Sequence, residues 1–287
     1  MDIAVKLKKV SLSHKIPPKN GVKDSVMRLI KNEPFFDEQY ILKNISFTLE
    51  KGSAIALIGG EGAGKTTLLR LISGIITPTS GRIITNGCIS PVFSDGMGFN
   101  PSLTVKKNVY FVGSMRGFSS EYMKKRIKDI IEFAGLKEQL NAPIKKCTRE
   151  MVSRLAFSIS AFIKTDILIV DEALSGCDED FCERCMEKML EMKSRGASVL
   201  FVSYSGDQII KLCENAIWLD NGTAFSAGRR RFSTCGKSLL PGGNACFPAS
   251  AAWEKQRCFG SSSTGAVRRS LLTSWPSWPI TWIWRRA

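Results

Sequence analysis

Gly59-Gly60-Glu61-Gly62-Ala63-Gly64-Lys65-Thr66-Thr67 fits the phosphate-loop pattern G-x-x-x-x-G-K-[ST], with Gly59, Gly64, Lys65 and Thr66 at its fixed positions. The flanks supply the context this pattern needs. Residues 54–58 form an apolar run suited to a strand buried on both faces, and Leu68, Leu69, Leu71 and Ile72 recur at helical spacing after the loop. A polyphosphate is cradled by convergent backbone N–H groups, so side chains must be absent where the chain wraps it. Gly60, Gly62 and Gly64 permit that approach, Glu61 and Ala63 complete the loop, and the first helical turn adds unpaired donors and its positive dipole end. Lys65 is placed to reach the β- and γ-phosphates, Thr66 to put its hydroxyl on Mg²⁺, and Thr67 to reach the α-phosphate.

The second decisive stretch is Ile167-Leu168-Ile169-Val170-Asp171-Glu172, four apolar residues of a buried strand ending in two carboxylates. In open α/β sheets the carboxyl edge is where ligands sit. Asp171 is expected to hold Mg²⁺ through water, and Glu172 to polarise the water that attacks the γ-phosphate. Both acids are expected to face the loop from the neighbouring strand. Ser175-Gly176-Cys177-Asp178 follows, then a helix, then a buried strand over residues 198–203. Residues 216–219 and 223–227, joined at Asn221-Gly222, predict a closing hairpin.

Ahead of the loop, residues 3–12 alternate as a strand, and Pro17-Pro18-Lys19-Asn20-Gly21 breaks it. Ile45, Phe47 and Leu49 face one way and Ser46, Thr48 and Glu50 the other, so the amino-terminal part is expected to be antiparallel. Residues 85–116 look loop-like, with Gly87, Pro91, Gly96, Gly98 and Pro101. Met123, Ile127, Ile130, Ile131 and Ala134 make a helical stripe capped by Ser119 or Ser120 and stopped by Gly135, and a second helix is expected over residues 148–163. The fold class is α/β: a phosphate-loop core with a parallel sheet, an antiparallel amino-terminal part and an inserted helical subdomain.

The net charge of +15 is concentrated at one end: residues 229–287 hold 10 Lys+Arg against 1 Asp+Glu, leaving residues 1–228 at only +6. The globular part is therefore too mildly basic to suggest a nucleic-acid partner. Nine scattered cysteines and an amino terminus without an apolar core point to a reducing cytoplasm. Cys182 and Cys185 stand three apart without a second pair, as ordinary helix cysteines do. No run reaches the roughly 20 apolar residues that span a bilayer. Five of the six tryptophans fall in residues 229–287, among Ser, Gly, Pro and Arg. This stretch is expected to be a disordered tail without an evolved fold, with anchoring in a membrane interface as the other reading.

These landmarks resemble the ATP-binding subunit of ABC transporters, and more narrowly the polysaccharide-export branch serving O-antigen, capsule and teichoic acid exporters. The stretches that carry the narrower resemblance include Leu42-Lys43-Asn44-Ile45-Ser46-Phe47, Thr77-Pro78-Thr79-Ser80-Gly81, Gly98-Phe99-Asn100-Pro101, Arg154-Leu155-Ala156-Phe157 and Asn215-Ala216-Ile217-Trp218-Leu219. It covers residues 3–228, the expected nucleotide-binding domain being 1–228. It implies ATP and Mg²⁺ as ligands and a homodimer that sandwiches two ATP molecules. It also implies a separate polytopic membrane permease, and a peripheral place on the cytoplasmic face of the bacterial inner membrane. By the same resemblance His14 is the adenine-stacking position and Asp178 joins the nucleotide-binding set.

Three departures from the family pattern stand out. No glycine occurs between Gly135 and Gly176, so Cys147, Thr148, Arg149 and Glu150 occupy the signature segment and Glu150 takes the place of its glycine. Arg149 is expected to offset that charge in part. Tyr204 takes the place of the switch histidine, which makes it a candidate catalytic residue beside Glu172 and Lys65, and no glutamine lies between the phosphate loop and Gln139. Two functional readings result: an ATPase subunit powering glycan export, or a partner that binds ATP and hydrolyses it poorly or not at all. A damaged gene product is the third.

Overall fold

A computed structural model describes residues 2–16, 36–93 and 98–228. The chain runs β1 (Ile3–Ile16), β2 (Asp37–Glu50), β3 (Ala54–Gly59), α1 (Lys65–Ile72), β4 (Ser80–Thr85), β5 (Ile89–Phe93), α2 (Val105–Met115) and α3 (Ser120–Ala134). After a short 3₁₀ turn, Ile144–Lys146, it continues through α4 (Arg149–Phe162), β6 (Ile167–Asp171), α5 (Glu179–Ser194), β7 (Ser198–Val202), α6 (Gly206–Leu212), β8 (Asn215–Asp220) and β9 (Thr223–Gly228). The break expected at residues 17–21 and the tail from 229 lie outside the described residues.

One sheet is antiparallel, in the order β2-β1-β4. The other has the order β5-β6-β7-β3-β8-β9 and is parallel except for β9, which pairs with β8 as the expected hairpin. This order corrects one expectation: β7 lies between the loop strand β3 and the acid strand β6, so the two are not neighbours. Sequence adjacency carried no information on that, because the crossover between parallel strands passes through a helix and is free to skip a place.

The parallel strands read as unbroken apolar runs because both faces are covered. Ile167, Ile169, Leu200 and Val202 pack on one side with Leu68, Leu69 and Ile72 of α1 and with the antiparallel sheet. Leu168, Val170, Val199 and Phe201 pack on the other with Phe181, Cys185 and Met189 of α5 and Ile209 of α6. Every residue of β6 and of β7 is buried.

The inserted helices have a core of their own, in which Val105, Val109 and Val112 meet Met123, Ile130, Ile131, Leu155 and Ile159. Ser119 and Thr148 cap α3 and α4 by accepting from Tyr122 N–H and Met151 N–H, and Gly135 ends α3 with φ 70°. The loop-like reading of residues 85–116 is overturned, since β5 and α2 lie within it. Pro91 is tolerated because β5 is an edge strand, where a missing N–H breaks no ladder bond. The Val105, Val109, Val112 stripe was readable but was overshadowed by the glycines and prolines ahead of it.

Arg116, just past the end of α2, fastens this subdomain to the sheet. Its guanidinium donates to Ser90 Oγ and Ser160 Oγ, both at 3.1 Å, and to the Pro91 carbonyl at 3.3 Å. Burial pulls its pKa down to about 10, still far above neutrality.

Candidate nucleotide-binding site

The phosphate loop leaves β3 where the sheet has no room for a side chain. A Cβ at Gly59 would sit 2.4 Å from the Leu219 carbonyl oxygen of β8. Gly64 caps α1 in the left-handed region, with φ 97°, and a Cβ there would meet Leu42 Cδ2 at 2.8 Å. A Cβ at Gly60 or Gly62 would meet nothing within 4 Å, so the loop is uncrowded at both positions. Lys65 is only 8% exposed, and its ammonium donates to the carbonyls of Gly59 at 2.9 Å and Gly60 at 3.0 Å, spanning the loop from within.

Asp171, at the end of β6, is 4% exposed, and its Oδ1 has no hydrogen-bond partner among the described residues. Burial raises its pKa above the ordinary aspartate range, helped by the charge of Glu172. The Thr66 hydroxyl beside this carboxylate and the charge of Lys65 oppose the rise. A buried carboxylate oxygen left over beside a hydroxyl is a hard-oxygen pair of the kind Mg²⁺ prefers, so these residues fit the ion.

Glu172 follows in the left-handed region at φ 51°, a conformation costing a non-glycine residue roughly 1–3 kcal/mol. The turn is held from both sides. Glu172 N–H donates to the Val202 carbonyl at 3.1 Å, and the Glu172 carbonyl accepts from Ser175 N–H at 3.1 Å and Ser175 Oγ at 2.7 Å. The Tyr204 hydroxyl stands beside the Glu172 carboxylate. That pairing, with burial and the charges of Glu172, Glu61 and Asp171, pushes the tyrosine up to about 12. The fold thus gathers Glu61, Lys65, Thr66, Asp171, Glu172 and Tyr204 at one end of the parallel sheet. Glu61 belongs to the nucleotide-binding loop in the sequence; its approach to Tyr204 depends on β7, whose place beside β3 the sequence did not disclose.

Because its pKa is raised, Tyr204 keeps its proton well past the ordinary tyrosine value of about 10. The contribution of the Tyr204–Glu172 pairing to stability is fully present below the unfolded pKa and is lost only as pH rises toward 12. The stability difference between wild type and Tyr204→Phe, from urea unfolding, should therefore be the same at about pH 7 and about pH 9. A difference that shrinks over that interval contradicts the assignment of the pairing.

Two candidates stand apart from this cluster. His14 is exposed on β1 opposite Gln39. Asp178 caps α5, accepting from Phe181 N–H at 3.2 Å, and pairs with Arg154 at 3.1 Å. Arg154 also pairs with Glu150, its Nε donating to Glu150 Oε1 at 3.1 Å. The residue that pairs with Glu150 in the structure is Arg154, four positions along the same helix. On a helix, residues four apart share a face whereas adjacent ones point about 100° apart, so the i, i+4 spacing was the available signal.

The ABC transporter family matches residues 42–175. The O-antigen export system ATP-binding protein RfbB of Klebsiella pneumoniae is 35% identical over 208 residues, which cover 70% of this chain and 83% of that protein. The chain belongs to the ABC transporter ATP-binding family. Within it this ABC ATPase falls in the polysaccharide-export branch. The teichoic acids export ATP-binding protein TagH of Staphylococcus epidermidis is 35% identical over 224 residues, covering 77% of this chain and 83% of the relative. The fold agrees with a solved dimeric ATP-binding cassette, MJ0796 bound to ADP and Pi. That structure has a TM-score of 0.66 at 20% identity, covering 79% of this chain and 99% of that one. Among the described residues no helix of this ABC ATPase is long and apolar enough to cross a membrane.

Proposed function

We propose that this chain is the subunit that binds and hydrolyses ATP to drive export of a polysaccharide or lipid-linked glycan through a separate membrane permease. It works as a homodimer on the cytoplasmic face of the bacterial inner membrane, with residues 1–228 as the nucleotide-binding domain and 229–287 as a tail. The relatives support the process, being named for O-antigen and teichoic acid export. The observation that carries the chemistry is the buried, half-partnered Asp171 next to Thr66, set against the Lys65-spanned loop.

In this reading Lys65 exchanges its two carbonyl partners for the β- and γ-phosphate oxygens. Thr66 and Asp171 hold Mg²⁺, which supplies charge neutralisation on the phosphates when bound. Glu172 orients and deprotonates the attacking water, and its strained backbone and the Tyr204 hydroxyl fix where its carboxylate points. His14 stacks on the adenine, and Thr67 and Asp178 complete the nucleotide-binding set. Glu150 brings a negative charge to a segment that in the family carries glycine. Like charges about 4 Å apart cost on the order of 4 kcal/mol at an effective dielectric of 20, a cost that Arg154 offsets. Slow turnover with intact ATP binding is the expected outcome.

The test is steady-state ATP turnover and equilibrium ATP binding by the purified chain, alone and with its permease in lipid nanodiscs. Measurable turnover that the permease stimulates supports the reading. Binding without any turnover in either setting replaces it with a non-hydrolysing partner, and absence of binding sinks both.

A further inference from the structure

Arg154 holds two acids that belong to different parts of the fold. Glu150 lies in the first turn of α4, and Asp178 caps α5 at the end of the segment that leaves Glu172. The Arg154 side chain is 21% exposed, against 38% for Glu150 and 51% for Asp178, so it is the sheltered member of the group. Its guanidinium lies 5.1 Å from the centroid of the Phe181 ring. Phe181 is fully buried and packs against Phe133 at 5.6 Å and Phe157 at 6.4 Å. The cation therefore rests on a fixed aromatic platform and has little freedom to follow either acid away from it.

Between Glu172 and Asp178 the chain has little slack. The Glu172 carbonyl accepts from Ser175 N–H, and the Leu174 carbonyl accepts from Cys177 N–H at 3.2 Å, so two consecutive turns bridge the strained base to the cap of α5. A shift of Asp178 is passed along these turns to the Glu172 backbone, whose φ of 51° tolerates few alternatives.

We infer that Arg154 is a positioning residue for hydrolysis, clamping the start of α4 to the segment that orients Glu172 through its simultaneous pairs with Glu150 and Asp178. The inference rests on the proposed role of Glu172 as the base. Arg154 itself touches no reacting atom. Its planar fork suits two acids at once, which a lysine ammonium on a flexible stem satisfies less well.

The experiment compares Arg154→Met, Arg154→Lys, Asp178→Asn and the double variant Arg154→Met/Asp178→Asn. Asparagine caps a helix as well as aspartate, so Asp178→Asn removes the ion pair and leaves the cap. The readouts are kcat and KM for MgATP, binding of a fluorescent ATP analogue, and hydrogen exchange of the peptide spanning residues 172–178 in nucleotide-free protein. Arg154→Met is expected to lower kcat about tenfold with KM within about threefold, Asp178→Asn to lower kcat about tenfold with whatever change in KM its place in the nucleotide-binding set brings, and both to speed exchange in that peptide. The double variant should be no worse than either single one, because both remove one clamp, and Arg154→Lys should fall between wild type and Arg154→Met. Unchanged kcat and exchange in the single variants overturn the inference, as does a double variant down about a hundredfold, the product of independent effects. If Arg154→Met does not fold, Arg154→Lys takes its place, read by kcat and by exchange of the 172–178 peptide. Should wild type bind the analogue without turning over ATP, the proposed hydrolysis fails, and the exchange measurement still decides the clamp.

Discussion

Glu172→Gln lowers steady-state ATP turnover by about 10²- to 10⁴-fold while ATP binding persists, and the ATP-bound protein accumulates as a dimer. The size follows from what a positioned general base contributes. Glutamine keeps the shape of the side chain and still offers an acceptor oxygen to the Tyr204 hydroxyl beside it. The backbone anchors through Val202 and Ser175 do not involve the side chain. What disappears is the negative oxygen that takes a proton from water. The substitution also removes one of the two adjacent carboxylate charges, so Asp171, whose pKa is raised by burial and by Glu172, becomes easier to ionise and a better partner for Mg²⁺. Binding should thus be equal to or tighter than wild type. Turnover assays combined with gel filtration in MgATP check both halves, and a variant that hydrolyses ATP within threefold of wild type removes Glu172 from the mechanism.

Lys65→Met weakens ATP binding about ten- to a hundredfold. In the nucleotide-free protein the ammonium is already satisfied by the Gly59 and Gly60 carbonyls, so binding exchanges two charge-assisted bonds to neutral oxygens for two to phosphate anions. Charge-assisted bonds contribute about 1.5–3 kcal/mol each, and only the difference between the two sets counts, so about 1.4–2.8 kcal/mol is the net expectation. Methionine keeps much of the buried stem, which limits packing loss at a position only 8% exposed. Titration with a fluorescent ATP analogue measures the change, and an affinity within twofold of wild type would show that the lysine does not reach the phosphates.

The two buried strands and the glycine loop were legible because each is governed by local chemistry. Apolar runs of four or five residues have to be covered on both faces, and the loop glycines answer to φ angles and to one close carbonyl at Leu219. The start of α3 at Ser119 or Ser120 and its end at Gly135 were legible for the same reason. The order of the parallel strands was not, since nothing in β6 or β7 records which strand stands beside β3. Likewise β5 and α2 were hidden by Pro91 and by glycines whose meaning depends on the edge position of the strand. In the site, Lys65, Thr66, Asp171 and Glu172 come together as their motifs predict. The link from Tyr204 to Glu172 and Glu61, and the pairing of Arg154 with Asp178, arise between segments far apart in sequence and became visible only in three dimensions.

With β7 interposed, the strands that carry the loop and the acids, β3 and β6, stand two inter-strand spacings of about 4.8 Å apart, roughly 9–10 Å across the sheet. That gauge is set by backbone ladders, whose rungs are indifferent to which aliphatic groups fill the interior. Drift among Ile, Leu and Val beneath the sheet can therefore accumulate between related proteins without widening or narrowing the spacing of the two strands from which the loop and the acids project.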